Sequence, residues 1–137
     1  MKKLMFIAAI MMVAFVSKSQ NAATTEQLAT FEWVSTSFDF GKIKQGVPVT
    51  HEFKFTNKGK TPLIITNVQA SCGCTSPGWT RDAIPPGGEG YVKATFNAAN
   101  AGVFNKTVTV TANIESGFVT LSFKGEVETA AVVNPNK

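Results

Sequence analysis

The sequence is poor in the residue types that build most metal and redox sites. It holds two cysteines and one histidine, and all four methionines lie within the first 12 residues. A zinc site normally needs four protein ligands, or three and a water molecule. Beyond residue 19, one copy of the chain offers only Cys72, Cys74 and His51 as soft ligands. The most it can supply is a partial site completed by a partner or a second copy, and we expect no resident cofactor.

The sequence also lacks a cluster of basic residues. Three of its 13 Lys and Arg residues fall within the first 18 positions, which leaves ten basic residues against nine acidic ones. The high isoelectric point is therefore largely a property of the N-terminus. A chain without a basic patch lacks the electrostatic footprint of nucleic-acid binding. We exclude nucleic acid as an expected partner.

The N-terminus has the pattern of a signal peptide. Lys2 and Lys3 precede an unbroken apolar run over residues 4–16, and small residues follow at positions 17 and 19. The run is shorter than the roughly 17–25 residues that a membrane-spanning helix needs. We predict a signal peptide over residues 1–19, with cleavage after Ala22 or Ala23 as the alternative. The protein is then exported to the periplasm or the cell exterior, with no stable membrane anchor after cleavage.

No segment beyond the N-terminus shows an apolar stripe at helical spacing. Residues 20–29 are small and polar and are predicted to form a flexible leader. Residues 30–127 alternate between apolar and polar side chains over short segments, which is the pattern of half-buried β-strands. Residues 128–137 are predicted to be a disordered tail. The chain is therefore expected to hold one domain.

About seven strands can be read from this alternation, with turn residues between them. The pattern predicts an all-β, immunoglobulin-like antiparallel β-sandwich, with a small barrel as the alternative. The nearly continuous apolar run over residues 63–68 predicts a central strand. The predicted core consists of Phe53, Phe55, Ile65, Phe96, Val108, Val110, Leu121 and Phe123.

Cys72 and Cys74 stand one residue apart around Gly73 and are open to three interpretations. The first is a disulfide within the loop, because Gly73 permits a tight turn that brings the Cα atoms within bridging distance. The second is a redox pair or a partial site for Cu(I) or Zn(II), which thiolates favour. The third is a pair of packed, reduced thiols, which export to an oxidising compartment disfavours. We favour the disulfide.

Two further side chains, His51 and Trp79, are candidates for a functional role. His51 falls on the apolar phase of a predicted strand, and no nucleophile motif accompanies it, so no catalytic set can be argued. Trp79 follows the cysteines closely and is a candidate neighbour of a binding surface, while core packing is the alternative. No catalytic residue is predicted.

Several segments resemble one known family. The most specific is residues 71–75, Ser-Cys-Gly-Cys-Thr, followed by Trp79. The others are residues 38–43 (its F-x-F-G-x-I strand), 53–57 (F-x-F-x-N), 84–88 (its I-x-P-G loop) and 102–107. The sequence is similar to the exported bacterial domain-of-unknown-function family fifteen seventy-three, which belongs with Hydin-like and major-sperm-protein-like immunoglobulin folds. The resemblance covers roughly residues 31–127. It implies the fold and export, and no activity.

Two classes of function follow from these observations. The favoured one is an exported, non-catalytic immunoglobulin-like module that binds a protein or cell-envelope partner through its loops or a sheet edge. The alternative is a thiol–disulfide or copper-handling protein that acts through Cys72 and Cys74.

Overall fold

A computed structural model describes residues 28–129 of the chain. The predicted signal peptide (1–19) lies outside the described residues. So do most of the predicted leader (20–29) and most of the predicted tail (128–137). Within the described range no helix is long and apolar enough to cross a membrane.

The described residues form eight β-strands, one more than the seven that the alternation predicts. The strands are β1 (Phe31–Trp33), β2 (Ser37–Lys44), β3 (Val49–Asn57), β4 (Ile65–Ala70), β5 (Thr75–Trp79), β6 (Glu89–Phe96), β7 (Gly102–Ala112) and β8 (Phe118–Glu128). The additional strand is β5, whose Pro77 and Gly78 resemble turn residues in the sequence. Proline is tolerated there because β5 lies at the edge of its sheet and pairs only with β6.

The strands form two four-stranded sheets packed face to face, which confirms the predicted sandwich. One sheet has the order β1-β3-β6-β5 and the other β2-β8-β7-β4. All pairings are antiparallel except that of β2 with β8, which is parallel. The β2 ladder shifts register between Asp39 and Lys42, and Gly41 between them has a φ of 65°. Strand β2 therefore has a bulge at Gly41.

The core lies between the two sheets and is built by the inward phase of each strand. All eight predicted core residues are 5 % exposed or less. An aromatic cluster dominates one part of it, since the rings of Phe96 and Phe104 stack with centroids 4.3 Å apart and Phe123 lies within 6.2 Å of both. Fully burying a side chain of this size contributes about 1.5–3 kcal/mol. The alternation of apolar and polar residues with a period of two therefore predicts the core residues as well as the strands.

The prediction of a central strand over residues 63–68 is wrong. Strand β4 begins at Ile65 and lies at the edge of its sheet, paired only with β7. The run is apolar for a different reason. Leu63 is fully buried before the strand begins and forms an isolated bridge with Ile84, whereas Ile64 is 43 % exposed. The apolar run over residues 63–68 thus consists of a residue in an isolated bridge followed by an edge strand.

Asn57 ends β3 as a fully buried polar residue that holds three segments together. Its Nδ2 donates to the carbonyls of Thr61 and Ile84 at 2.9 and 3.0 Å. Its Oδ1 accepts from the main-chain N–H groups of Gly59 and Thr30 at 3.0 and 3.3 Å. Since a buried amide is stable only when its hydrogen bonds are made, these four contacts fix the loops at this end of the sandwich.

Candidate functional site

The cysteine segment is the point at which the chain crosses from one sheet to the other. Strand β4 ends at Ala70 and β5 begins at Thr75, so residues 71–74 join an edge of one sheet to an edge of the other. Cys72 and Cys74 form a disulfide across this turn, with their Cα atoms 5.3 Å apart. The structure thus places a covalent bond at the crossover, where both side chains are half-buried.

Main-chain hydrogen bonds hold both ends of the crossover independently of the disulfide. The N–H of Ser71 donates to the carbonyl of Thr107 at 2.9 Å, which continues the β4–β7 ladder. The carbonyl of Cys74 accepts from the N–H of Asn97 at 3.0 Å, next to the β5–β6 ladder. The crossover is therefore anchored to both sheets by bonds that do not involve sulfur.

The sulfur of Cys72 has one polar neighbour. The hydroxyl of Thr75 lies 3.8 Å from Cys72 Sγ, and Thr75 is buried at 5 % exposure. A hydroxyl in this position can donate to a sulfur that carries negative charge. Gly73 between the cysteines is exposed, and no other group lies within 4 Å of the position of its missing Cβ.

Trp79 lies at the opposite end of β5 from the cysteines. The strand is extended from Thr75 to Trp79, and at about 3.3 Å per residue its ends are roughly 13 Å apart. The indole packs against the core, and the Arg81 guanidinium lies 3.5 Å from the ring centroid. Its Nε1 is buried without a hydrogen-bond partner. Trp79 and the disulfide therefore do not share one site.

His51 packs in an aromatic group on the opposite side of the sandwich. Its ring stacks on Phe38 at 3.6 Å between centroids and meets Phe53 edge-on at 4.6 Å. Burial lowers the pKa of His51, and the neighbouring charge of Glu52 partly opposes this. Among residues 28–129, no three His, Cys, Asp or Glu side chains lie close enough to hold a metal ion. Within the described residues, His51 therefore packs among aromatic rings and belongs to no group of three metal ligands.

An apolar groove that the sequence analysis did not identify lies at the end of the sandwich remote from the cysteines. It has a volume of about 580 Å³. Its apolar lining includes Phe31 and Trp33 of β1, Ile114 of the β7–β8 turn, and Phe118 and Val119 of β8. Phe118 is 57 % exposed, which is unusual for so large an apolar side chain. An aromatic-lined concavity at the surface is a typical feature of a binding site.

One signal in the sequence could have indicated this groove. Thr120 and Ser122 follow Phe118 on the outward phase of β8, and both are polar. An aromatic residue on the solvent phase of a strand keeps its ring at the surface, where it can form part of an exposed apolar patch.

Comparison with known proteins gives a family and a fold. The model of a family described as "Protein of unknown function (DUF1573)" matches residues 31–127. A comparison with curated proteins found no match. A solved structure of a protein of unknown function from Porphyromonas gingivalis W83 is similar, with a TM-score of 0.66 and 20 % identity. The match covers 77 % of this chain and 50 % of that one, so this chain spans about half the length of that relative.

Two further solved structures share the architecture. The ASH/PapD-like domain 7 of human CEP192 has a TM-score of 0.60 at 12 % identity, covering 73 % of this chain and 86 % of that one. The VesB protease of Vibrio cholerae has a TM-score of 0.58 at 17 % identity, covering 75 % of this chain and 32 % of that one. At such low identities these likenesses establish the immunoglobulin-like fold alone.

Proposed function

We propose that this chain, which belongs to the DUF1573 family, is an exported, non-catalytic immunoglobulin-like module that binds a protein or cell-envelope partner. The single observation that carries the proposal is the apolar groove formed by β1, the β7–β8 turn and the start of β8. The signal-peptide pattern over residues 1–19 supports export to the periplasm or the cell exterior.

The groove has the composition of a docking surface. Phe31, Trp33 and Phe118 contribute three aromatic rings, and aromatic residues are enriched where proteins meet other proteins. Glu115 is the one charged residue of the lining, so the partner surface is expected to be predominantly apolar. The rings of Phe31 and Trp33 stack 4.7 Å apart, and both pack on Phe55 of the core. This packing holds the groove in shape before a partner arrives, which reduces the entropic cost of binding.

The test compares two exposed apolar residues at opposite ends of the molecule. Phe118→Ser removes the exposed ring of the groove, and Val103→Ser removes a side chain that is 84 % exposed at the other end. Purified exported chain is incubated with envelope fractions and with the secreted proteins of the producing cells, and retention is quantified. We expect Phe118→Ser to reduce retention at least tenfold and Val103→Ser to leave it unchanged. No retention of the wild type, or equal loss in both variants, would refute the proposal.

The second candidate function is thiol–disulfide exchange or copper handling through Cys72 and Cys74. The observation that favours it is a half-exposed disulfide in a turn whose ends are held by separate main-chain bonds. A partner thiolate would attack Cys74 Sγ, forming a mixed disulfide and breaking the bond to Cys72. Cys72 would leave as a thiolate facing the Thr75 hydroxyl. Copper binding would require both thiols to be reduced first.

This second candidate is tested by measuring the reduction potential of the pair together with Cu(I) binding by the reduced protein. Thiol–disulfide function predicts reduction at a mild potential, and copper function predicts a stoichiometric ion retained through dialysis. The variant Cys72→Ser/Cys74→Ser should lose either property while keeping its circular dichroism spectrum. A pair that resists reduction and takes up no copper would eliminate this candidate and leave the binding module.

A further inference from the structure

The four edge strands of the described sandwich differ in their protection against pairing with another chain. Strand β1 is only three residues long, and β5 contains Pro77, which has no N–H to offer. Strand β2 has a register shift at Gly41 and carries Lys42 and Lys44. Short length, proline, bulges and lysine are the devices by which natural proteins block edge pairing. These three edges are therefore blocked.

Strand β4 (Ile65–Ala70) has neither proline nor charge. It pairs with β7 alone, and its ladder is irregular only between Ile65 and Asn67. Upstream, Leu63 is already bridged to Ile84, and downstream the chain turns at the disulfide. The open edge is therefore a short, regular and uncharged segment that ends at Ala70.

The register shows which main-chain groups face outward. Ser71 donates to Thr107 on β7, and Gln69 lies opposite Thr109 two residues earlier. Alternate residues of an antiparallel edge strand direct their N–H and C=O groups to opposite sides. Ser71 and Gln69 therefore face β7, whereas Val68 and Ala70 present their main-chain groups at the free edge. If two copies of β4 are placed antiparallel about a two-fold axis, Val68 of one copy can therefore lie opposite Ala70 of the other.

We propose that β4 pairs with β4 of a second copy of this chain, antiparallel about a two-fold axis at Gln69. Val68 of each copy lies opposite Ala70 of the other, which forms four main-chain hydrogen bonds and one continuous eight-stranded sheet. Gln69 meets its own counterpart on the outer face, and Asn67 meets Ser71. The inference goes beyond the proposed function, since it concerns contact between copies and leaves the groove free.

We take the occupant to be a second copy because β4, as the one edge strand of the described sandwich that lacks a blocking feature, is also the edge that a second copy can offer in return. A two-fold axis then sets each residue against itself or its mate. Any charge near the axis would face an identical charge, and like charges directly opposite on paired strands are destabilising. The outward side chains of β4 are Thr66, Asn67 and Gln69, all exposed and all neutral. The same outer face continues through Thr109 of β7 and Thr120 of β8, which are also neutral. Because few bonds are formed, the dimer is expected to be weak and reversible.

Charge substitution at the axis gives a test specific to this geometry. The exported chain is studied by sedimentation equilibrium up to about 1 mM, which reaches dissociation constants in the millimolar range. Gln69→Lys and Gln69→Glu each set like charges opposite one another, so each alone should weaken dimerisation at least tenfold. An equimolar mixture of the two should recover a heterodimer at least as tight as the wild-type dimer. Thr120→Lys, on the same face but two strands from the edge, should dimerise like the wild type.

Each other outcome overturns the proposal. A wild-type chain that stays monomeric over the whole range would show that the edge does not pair with itself. A dimer that persists unchanged in Gln69→Lys would place the interface elsewhere. Loss of dimer in both variants without recovery in the mixture would exclude a two-fold axis at Gln69. Circular dichroism confirms that each variant is folded, which is expected because Gln69 is exposed.

Discussion

At the scale of single residues, Asn57 shows how one buried amide can hold several loops. Its four hydrogen bonds reach the chain before β1, the β3–β4 loop and Ile84 of the β5–β6 loop. The only salt bridge at these segments in the described residues joins Lys58 of the β3–β4 loop to Glu32 of β1 at 3.2 Å, and both side chains are exposed. The loops at the groove end of the sandwich are therefore held by a buried residue that does not itself line the groove.

We predict that Asn57→Ala lowers the free energy of unfolding by about 3 kcal/mol. The substitution leaves buried carbonyl and N–H groups without partners, and each such group costs about 1–3 kcal/mol. Urea denaturation of the purified protein measures the loss. Asn105→Ala, at an exposed position on β7, is the matched control and should change stability by less than about 0.5 kcal/mol. Equal effects of the two substitutions would show that the Asn57 network is not stabilising.

We predict that His51 makes the stability of the folded protein depend on pH. Burial lowers its pKa in the folded protein below the ordinary value of 6.5. The unfolded chain therefore binds a proton at higher pH than the folded one does, and stability falls as the pH drops below about 6.5. His51→Phe keeps an aromatic ring against Phe38 and removes the titrating group. We expect the melting temperature of the wild type to fall more between pH 7.5 and 5.5 than that of the variant. Identical shifts would exclude His51 as the cause.

At the scale of strands, the sequence predicts alternation well and strand position poorly. Phe53 and Phe55 alternate with polar residues on β3, and this local pattern identifies both as core. The edge position of β4 depends on which strand lies beside it, and no local pattern records that. Strand β5 was not predicted because Pro77 and Gly78 have the same local preferences in an edge strand as in a turn. Which strands pair in a sheet is determined by the whole fold, so the local sequence of a strand does not reveal its partners.

The candidate sites also divide into one that depends on local sequence and one that depends on the whole fold. Cys72 and Cys74 could be identified from the sequence because two cysteines one residue apart can reach each other locally. The groove as a whole could not, because Phe31 and Phe118 are far apart in the sequence and meet only in the folded sandwich. The outward phase of Phe118 indicates one side chain of its lining and not the concavity. Trp79 follows the cysteines closely in the sequence but is separated from them in the fold, because β5 is extended. Its role beside a binding surface stays a prediction.

Close packing between β6 and its neighbours gives a prediction at this scale. A methyl group at Gly90 would lie 2.6 Å from ring atom Cζ of Phe55 and 2.6 Å from Cδ1 of Ile84, both of which are buried. Gly90→Ala therefore forces core side chains to shift, and overpacking of this kind costs about 1–3 kcal/mol. Gly73→Ala is the control, because no atom outside its chain neighbours lies within 4 Å of the added methyl. Thermal unfolding of both variants measures the difference, and a Gly90→Ala variant as stable as Gly73→Ala would contradict the packing.

At the scale of the whole molecule, the two sheets share one core but expose different edges. The central strands β3 and β6 of one sheet, and β7 and β8 of the other, have partners on both sides over much of their length. They also carry the largest buried side chains, including Phe53 and Phe123. The fold is therefore most stable along its middle and least stable along its sides, where the groove, the crossover and the open β4 edge lie.

This distribution predicts the pattern of amide hydrogen exchange. The amides of Val108 and Val110 on β7 become accessible to water only when the two sheets separate. Their exchange rates should therefore report the free energy of global unfolding. The amides of β1 and β5 should exchange through local fraying, faster by at least a hundredfold. The measurement is made by NMR at low protein concentration, where pairing through β4 is absent. Protection of β5 equal to that of β7 would contradict this ranking, since it would mean that the edge strand opens only with the core.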